Sequence, residues 1–280
     1  MKTYSAPAGA STFVDIACDL CGERAHHPAM GTPEYTFVRC ARCGVTYQNP
    51  QPTEESLRRR YAGDYYRYEI ENERNFFGLM LLGLRDIGFE RLEGTQDRGT
   101  FLDVGCATGM LLESMLSKGW RTKGVEICEE SARHAIETRG LDVSVGSLEE
   151  AALPSGSIQV AHFSHLLEHV LEPRGFLTEV RRILDPRGYA VITTPNIAGF
   201  QARLLGTRWR SAIADHLYLF SPRTLEPLLR GVGFGILKRV TWGGIAKGLA
   251  PQVVKTPLDR MAKLFGFGDV MLYLVRPLSS

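Results

Sequence analysis

Residues 99–118 predict a β-strand, a glycine turn and an α-helix in direct succession, and this succession restricts the fold more than any other stretch. A short apolar run ends at Val104, two glycines follow at 105 and 109, and apolar periodicity resumes over 110–118. Glycine tolerates positive φ and lets a ligand approach the backbone, while free N–H groups at a helix start attract anions. Glu126, at the end of the next apolar run, suits the two hydroxyls of a ribose. The segment therefore predicts a site for an adenosine-bearing cofactor.

The spacing of the turn separates two kinds of cofactor site. A dinucleotide fingerprint is G-x-G-x-x-G, whereas this turn has the pattern Asp103-x-Gly105-x-x-x-Gly109, with Ala107 where a middle glycine often lies. At these residues the chain resembles the class I methyltransferases that use S-adenosylmethionine (SAM), and the resemblance covers about residues 99–240. It implies that Asp103 orders the loop and the methionine ammonium, that 105–109 pack against the methionine part, and that Glu126 holds the ribose.

The resemblance extends to segments that follow other predicted strands. Adenine contacts are expected around Ser147 and Leu148, and residues 164–170 resemble the leucine-glutamate-histidine segment that follows strand four in the family. The residues expected at the cofactor are Asp103, Gly105, Cys106, Ala107, Thr108, Gly109, Glu126, Ile127, Ser147, Leu148 and Ser164. A strand, turn and helix that hold no ligand are the alternative interpretation.

Predicted strands alternate with predicted helices along most of the chain. The strands are expected at 100–104, 121–126, 141–145, 158–163, 188–193, 234–242 and 270–276, and the helices at 53–61, 73–92, 109–118, 129–138 and 173–184. This alternation predicts an α/β fold with a doubly wound, mostly parallel, seven-stranded Rossmann-like sheet. The resemblance implies that the last two strands form a hairpin whose final strand is antiparallel, and a helical connection is expected between them.

Four of the six cysteines form two C-x-x-C pairs, Cys18/Cys21 and Cys40/Cys43, each followed directly by a glycine. Each pair lets two thiolates converge from one tight turn, so four thiolates can close a tetrahedral structural zinc site. Two disulfides are the first alternative, and they are disfavoured in a cytoplasmic chain. A thioredoxin-like redox pair is the second, but neither pair opens a helix after a strand. His26 and His27 lie inside the loop and are expected to be loop residues.

A length of 280 residues suits one large domain or two unequal domains. We expect a zinc ribbon at 1–50, a helical linker or lid at 51–95 and a SAM-binding methyltransferase domain at 96–280. The aromatic cluster at 61–68 could form the lid or simply pack the linker helices onto the core. The longest apolar stretch is too short to span a bilayer, and the start lacks a signal-peptide pattern, so the expected location is cytoplasmic.

Three histidines lie in segments expected at the mouth of the site: His165, His169 and His216. Histidine titrates near neutrality and serves as a general base. His216 ranks first because it follows strand five in an insertion on the substrate side, with Asp215 adjacent, and His169 ranks second. Packing and hydrogen bonding at a helix start are the structural alternative for Glu168 and His169.

A methyltransferase for a sugar, glycan or secondary metabolite is the expected function, with O-methylation as the simplest reaction. Ribbon-bearing sugar C-methyltransferases carry a long additional C-terminal domain that these residues do not include. The alternatives are an rRNA or tRNA methyltransferase whose zinc module recognises the substrate, and a SAM-binding protein without turnover. The net charge is +2 and residues 1–50 are electrically balanced, which does not favour nucleic acid. The basic C-terminal third could face an anionic or nucleotide-linked small molecule, or be a solvated surface; the oligomeric state is not indicated.

Overall fold

The computed structural model describes residues 12–32, 34–61, 64–93, 98–243 and 266–278. Short strands and three helices make up the N-terminal part: β1 (Phe13–Val14), β2 (His26–Gly31), β3 (Thr36–Cys40), β4 (Thr46–Gln48), β5 (Gln51–Pro52), α1 (Glu54–Arg60), α2 (Asp64–Ile87) and α3 (Phe89–Glu93). Thr53 accepts a hydrogen bond from the backbone N–H of Ser56 and so caps α1, as its position before two glutamates indicates.

Alternating strands and helices follow. They are β6 (Thr100–Val104), α4 (Met110–Ser117), β7 (Arg121–Glu126), α5 (Glu129–Arg139), β8 (Val143–Val145), β9 (Ile158–Ser164), α6 (Pro173–Ile183), β10 (Leu184–Pro195), α7 (Phe200–Leu205), β11 (Tyr218–Leu219), α8 (Pro222–Gly231), β12 (Phe234–Trp242) and β13 (Val270–Pro277). Short 3₁₀ turns lie at Leu167–His169 and Gly206–Arg208.

The main sheet has seven strands in the order β12-β13-β10-β9-β6-β7-β8. Strands β6 to β10 pair in parallel, while β13 is antiparallel to both β10 and β12. The predicted doubly wound, mostly parallel sheet with an antiparallel last strand is therefore confirmed. Adjacent β6 and β9 mark the point where the chain turns to build the other half of the sheet, and ligands bind at such a point, beyond the carboxyl ends of the strands.

Element boundaries differ from the predicted ones where a glycine or a buried side chain intervenes. The helix expected at 73–92 is two helices, because Gly88 adopts φ +84° between α2 and α3. The third strand starts at Val143 rather than at 141, since Gly140 ends α5 in the left-handed region and Leu141 is buried in the core. The helical connection expected between the last two strands lies outside the described residues.

The core continues from the main sheet into the N-terminal segment. A four-stranded sheet in the order β11-β4-β3-β2 takes its edge strand β11 from the segment that follows β10. Val38 and Tyr47 of this small sheet belong to the same buried cluster as Phe163 and Leu177 of the main domain. The division at residue 50 remains a prediction, and across it the two parts share one apolar core. None of the described helices combines the length and apolarity needed to cross a membrane.

Candidate active site

Asp103 lies at the carboxyl end of β6 and is almost completely buried. Its Oδ1 is 2.7 Å from Nδ1 of His162 on the neighbouring strand, whereas its Oδ2 is buried and has no hydrogen-bond partner among the described residues. Burial raises the pKa of Asp103, and the charge and hydrogen bond of His162 act against that rise. A buried carboxylate oxygen without a donor is costly, so Asp103 can accept a hydrogen bond from a ligand ammonium.

The turn after Asp103 has the backbone conformation that its glycines predict. Gly105 and Gly109 adopt φ +71° and +84°, and Ala107 adopts φ +49° although it has a side chain. A Cβ on Gly109 would lie 2.5 Å from a methyl of Leu141, so this position admits only glycine without rearrangement. Gly105 is exposed and α4 begins at Met110, which leaves the turn open to a ligand at a helix start.

Glu126 ends β7 and is buried, as predicted for the acidic residue of this strand. Its two carboxylate oxygens accept hydrogen bonds from the backbone N–H of Ala107, at 2.9 Å, and of Cys128, at 2.8 Å. Burial raises the pKa of Glu126, and these backbone donors limit the rise. Each oxygen keeps a lone pair, so Glu126 can accept two ribose hydroxyls while it holds the glycine turn in place.

The remaining predicted cofactor residues lie at this edge of the sheet or next to it. Ser147 follows β8 and its Oγ accepts from the backbone N–H of Glu150, while Leu148 is buried in the core. Cys106 is also buried, and Ile127 and Ser164 are partly exposed. Contact of each with the cofactor remains a prediction.

Helix α2 supplies a buried carboxylate that the sequence analysis did not identify. Glu69 is 6% exposed and accepts a hydrogen bond from Ser131 at the start of α5. Burial and the charge of nearby Glu126 raise its pKa well above 4.5. Tyr65 lies one turn before Glu69, and its phenol is likewise buried, which raises its pKa. The spacing of four between Tyr65, Glu69 and Glu73 was a signal that one face of α2 points at the site.

A second contact ties α2 to the glycine turn. Glu73 Oε2 accepts from Thr108 Oγ1 and from Arg139, each at 3.0 Å. Arg139 also donates to the backbone oxygen of Thr108 at 2.9 Å. The helix expected to serve as linker or lid is thus attached to the cofactor turn by side chains that are mostly buried.

The four paired cysteines lie together in the N-terminal segment. Sγ of Cys18 is 3.6 Å from that of Cys43, and Sγ of Cys21 is 3.5 Å from that of Cys40. A tetrahedral site with Zn–S bonds of about 2.3 Å requires sulfur pairs about 3.8 Å apart, so the four thiols fit a zinc ion. Gly22 and Gly44 adopt φ +75° and +74° directly after the pairs, which forms the two turns that the sequence predicts.

The three candidate catalytic histidines surround one buried carboxylate, Glu168. His165 Nδ1 lies 3.2 Å from Glu168 Oε1, and Thr194 at the end of β10 donates to Oε2 at 2.9 Å. Burial by itself would raise the pKa of Glu168, but the hydrogen bond and charge of His165, with the nearby His216 and His169, lower it to about 2. The carboxylate is therefore ionised near neutral pH.

The histidines differ in how far they are open to solvent. His165 has 44% of its side chain exposed and adopts φ +54°, a backbone conformation that is uncommon outside glycine and concentrates at functional sites. His216 is 7% exposed, and burial together with the charge of His169 lowers its pKa to about 3. His169 is intermediate, with its ring centroid 4.7 Å from that of His216.

Tyr61 brings the aromatic cluster against these histidines. Its ring lies edge-on to His169, with centroids 6.5 Å apart, and edge-on to Tyr65, at 5.0 Å. Burial raises the pKa of Tyr61, and Glu126 and Glu168 both lie close enough to add to the rise. Tyr61 thus contacts the histidine cluster, and the choice between a lid and packing onto the core remains a prediction.

Comparison with known proteins identifies the part of the chain that carries this site. Residues 82–239, more than half of the chain, match the family model described as a methyltransferase domain. A ubiquinone biosynthesis O-methyltransferase from Burkholderia vietnamiensis is 26% identical over 165 residues, which are 53% of this chain and 71% of that protein. A protein of the same name from Idiomarina loihiensis is 33% identical over 146 residues, 50% of this chain and 58% of that protein.

Solved structures agree on the fold. A SAM-dependent methyltransferase from Archaeoglobus fulgidus superposes with a TM-score of 0.55 at 20% identity, and the match covers 75% of this chain and 99% of that protein. A SAM-dependent methyltransferase from Thermotoga maritima, described as a possible histamine N-methyltransferase, gives 0.54 at 20% identity and covers 77% of this chain and 100% of its own. The predicted Rossmann-like methyltransferase fold is thereby confirmed.

Proposed function

This chain belongs to the methyltransferase-domain family and is a SAM-dependent methyltransferase, and from that premise we propose that it methylates an oxygen atom of a small molecule. The relatives named as O-methyltransferases support the reaction type, although their identity to this chain is low. A sugar, glycan or secondary metabolite is the proposed class of acceptor. The acceptor is proposed to be anionic or nucleotide-linked on the basis of the basic C-terminal third.

The residues at the carboxyl ends of β6 and β7 are proposed to hold SAM. Asp103 Oδ2 is buried without a donor, and it would accept a hydrogen bond from the methionine ammonium. Glu126 would accept the ribose hydroxyls with the lone pairs that its backbone donors leave free. When bound, SAM supplies an electrophilic methyl group on a sulfonium, and the protein's main task is to align an acceptor with it.

The exposed imidazole of His165, hydrogen-bonded to buried Glu168, is the observation that carries the assignment of acceptor chemistry. Leu166, the next residue, packs 3.3 Å from where a Cβ on Gly105 would lie, so this pair lies directly beside the cofactor turn. With Nδ1–H donated to Glu168, His165 Nε2 can accept the proton of an acceptor hydroxyl. His216 and His169 stay candidates from the sequence, but greater exposure favours His165 for contact with the acceptor.

The cysteine cluster is proposed to hold one structural zinc ion. The sulfur distances and the two glycine turns support it. Four thiolates leave no open coordination position, so this zinc would order the N-terminal sheet rather than take part in methyl transfer.

Methyl transfer to hydroxylated small molecules tests the proposal. Purified protein is incubated with SAM and a panel of sugars, nucleotide-linked sugars, glycans and phenolic metabolites, each neutral acceptor paired with an anionic one. Release of S-adenosylhomocysteine is measured, and the methylated atom is determined by mass spectrometry and NMR. His165→Ala should lower turnover by about 100-fold or more, the usual range for a general base, with SAM affinity unchanged by calorimetry. The matched control is His134→Ala, a histidine on α5 hydrogen-bonded to Tyr66. A methyl group found on carbon or nitrogen, or undiminished turnover in His165→Ala, would reject this mechanism.

A further inference from the structure

Glu168, His169 and His216 form a second group of side chains that can share one metal ion. Among the described residues their ligand atoms all lie within 4.8 Å of one another, and the paired cysteines are the other such group. We propose that these three residues bind a divalent transition-metal ion at the acceptor side of the active site. The role given to the ion rests on the proposed O-methylation, whereas its binding does not.

Both imidazoles are held in the orientation that a metal ligand needs. Nδ1 of His169 lies 2.8 Å from the backbone oxygen of Asp215, and Nδ1 of His216 lies 2.8 Å from that of Ser211. A carbonyl oxygen only accepts, so each Nδ1 carries the hydrogen and each Nε2 keeps its lone pair. Histidines that bind metals typically donate the other ring N–H to a carbonyl or carboxylate in this way.

The third ligand is equally constrained. Glu168 is fully buried, and Thr194 and His165 position its two oxygens. Leu217 donates its backbone N–H to the backbone oxygen of Glu168 at 2.7 Å, which fastens the segment bearing His216 to the turn bearing Glu168 and His169. Two residues adjacent in sequence and one from a distant segment are thus held together by backbone contacts.

The donor set indicates the class of ion. Two imidazoles and one carboxylate suit zinc, cobalt, nickel or iron(II), while magnesium prefers a set of oxygen ligands. Three protein ligands leave at least one position open for an acceptor oxygen. A hydroxyl bound there would lose its proton more readily, since a divalent ion lowers the pKa of a bound oxygen acid.

The resulting step balances without an oxidant or reductant. The acceptor O–H bond breaks and its proton passes to Nε2 of His165, whose Nδ1 is hydrogen-bonded to the metal ligand Glu168. The acceptor oxygen then forms a C–O bond to the methyl carbon, and the electron pair of the breaking C–S bond stays on sulfur. His165 keeps the role of base, and His169 and His216 hold the ion.

Calorimetric titration of Co²⁺ into the full-length protein tests metal binding without any acceptor. The protein first receives one equivalent of zinc per chain, which four thiolates hold more tightly than two imidazoles and one carboxylate, so that the cysteine cluster is occupied and the second group is left open. We expect one further equivalent of Co²⁺ to bind, with an absorption band from d–d transitions, and Mg²⁺ in large excess not to displace it. His169→Ala and His216→Ala should each weaken Co²⁺ binding by at least about 100-fold, since even outer partners of metal ligands change affinity by about 10–100-fold.

His134→Ala serves as the control, because it removes a histidine that lies elsewhere. Because His216 is buried, each variant is first shown to be folded by its thermal transition and by SAM binding. His169 is less buried than His216 and provides the second variant. Absence of a further Co²⁺ equivalent in folded wild-type protein would overturn the metal site, as would binding that survives both substitutions. Such a result would leave SAM binding and methyl transfer untouched, so it is distinguishable from failure of the proposed function.

Discussion

Gln48 donates a hydrogen bond from its Nε2 to the backbone oxygen of His216, at 2.8 Å, and a second to that of Ala214, at 2.7 Å. Gln48 ends β4, the first strand after Cys43, the last paired cysteine, and is 1% exposed. The cysteine-bearing segment is therefore connected directly to the loop that carries one of the candidate active-site histidines. Adjacent pairing of β4 with β11 strengthens the same connection.

Replacing Gln48 should impair catalysis although the residue is expected to touch neither substrate. Gln48→Leu leaves the backbone oxygen of His216 without its donor and that of Ala214 with Arg60 as donor. An unsatisfied oxygen that stays buried costs about 1–3 kcal/mol, so the 214–216 loop should become more mobile. We expect a lower kcat with little change in SAM affinity, measured by steady-state kinetics and calorimetry. Gln51→Leu is the matched control, because the Nε2 of Gln51 is buried without a hydrogen-bond partner among the described residues. Equal effects of the two substitutions would contradict a positioning role for Gln48.

Cys40→Ser should release the zinc ion proposed for the cysteine cluster. Structural zinc contributes about 10–16 kcal/mol of apparent binding free energy in small peptides, so the N-terminal sheet should lose its order. Because Val38 and Tyr47 share the core of the main domain, we also expect a lower thermal transition for the whole chain. Metal analysis should find about one zinc per chain in wild-type protein and less in the variant. Cys128→Ser, which lies outside the cluster, should retain its zinc; equal metal loss in both would count against the assignment.

Glu126→Gln tests the proposed ribose ligand. An amide replaces one acceptor oxygen by a donor, so SAM binding should weaken by about 1–3 kcal/mol, the range for hydrogen bonds to a charged group. Calorimetry measures the loss. The control is Glu129→Gln, because the carboxylate of Glu129 is exposed and pairs with Arg133 one turn along α5. If SAM bound equally well to Glu126→Gln and wild-type protein, Glu126 would serve only to hold the glycine turn.

Glu69 should make stability depend on pH. Burial and the charge of Glu126 raise its pKa in the folded protein well above 4.5, so the folded state is favoured while this carboxyl is protonated. That contribution is lost as the pH rises from the ordinary glutamate range through the raised pKa. The glutamine of Glu69→Gln cannot ionise, so the variant's transition temperature should exceed that of wild-type protein by a larger margin at pH 8 than at pH 5. Each kcal/mol of difference in unfolding free energy corresponds to about 2–4 °C.

Thermal unfolding across pH 5 to 8, without ligand, provides the measurement for Glu69. Glu90→Gln in α3 is the control because Glu90 is exposed. Parallel pH profiles for wild-type protein and Glu69→Gln would show that the carboxyl is not the source of the dependence.

Local patterns in the sequence were sufficient for the elements whose conformation depends on near neighbours. The strand at 100–104, the glycine turn and the start of α4 follow from apolar periodicity and from positions that only residues tolerant of positive φ can occupy. The cysteine pairs are equally local, since each C-x-x-C turn is closed by its own glycine. Resemblance to a known family then indicated the final antiparallel strand, which periodicity alone does not distinguish from a parallel one.

Tertiary structure alone decided which side chains meet from distant segments. The pairing of β11 with β4, the approach of Glu69 to Glu126 and the two bonds from Gln48 join residues far apart in the chain. It also decided that His165 is exposed to solvent while His216 is buried, because exposure depends on everything packed around a side chain. The sequence identified the three histidines as candidates through their place after strand ends. Only the structure shows that Glu168 lies beside all three histidines, because the pairing of β9 with β10 brings the segments after these strands together.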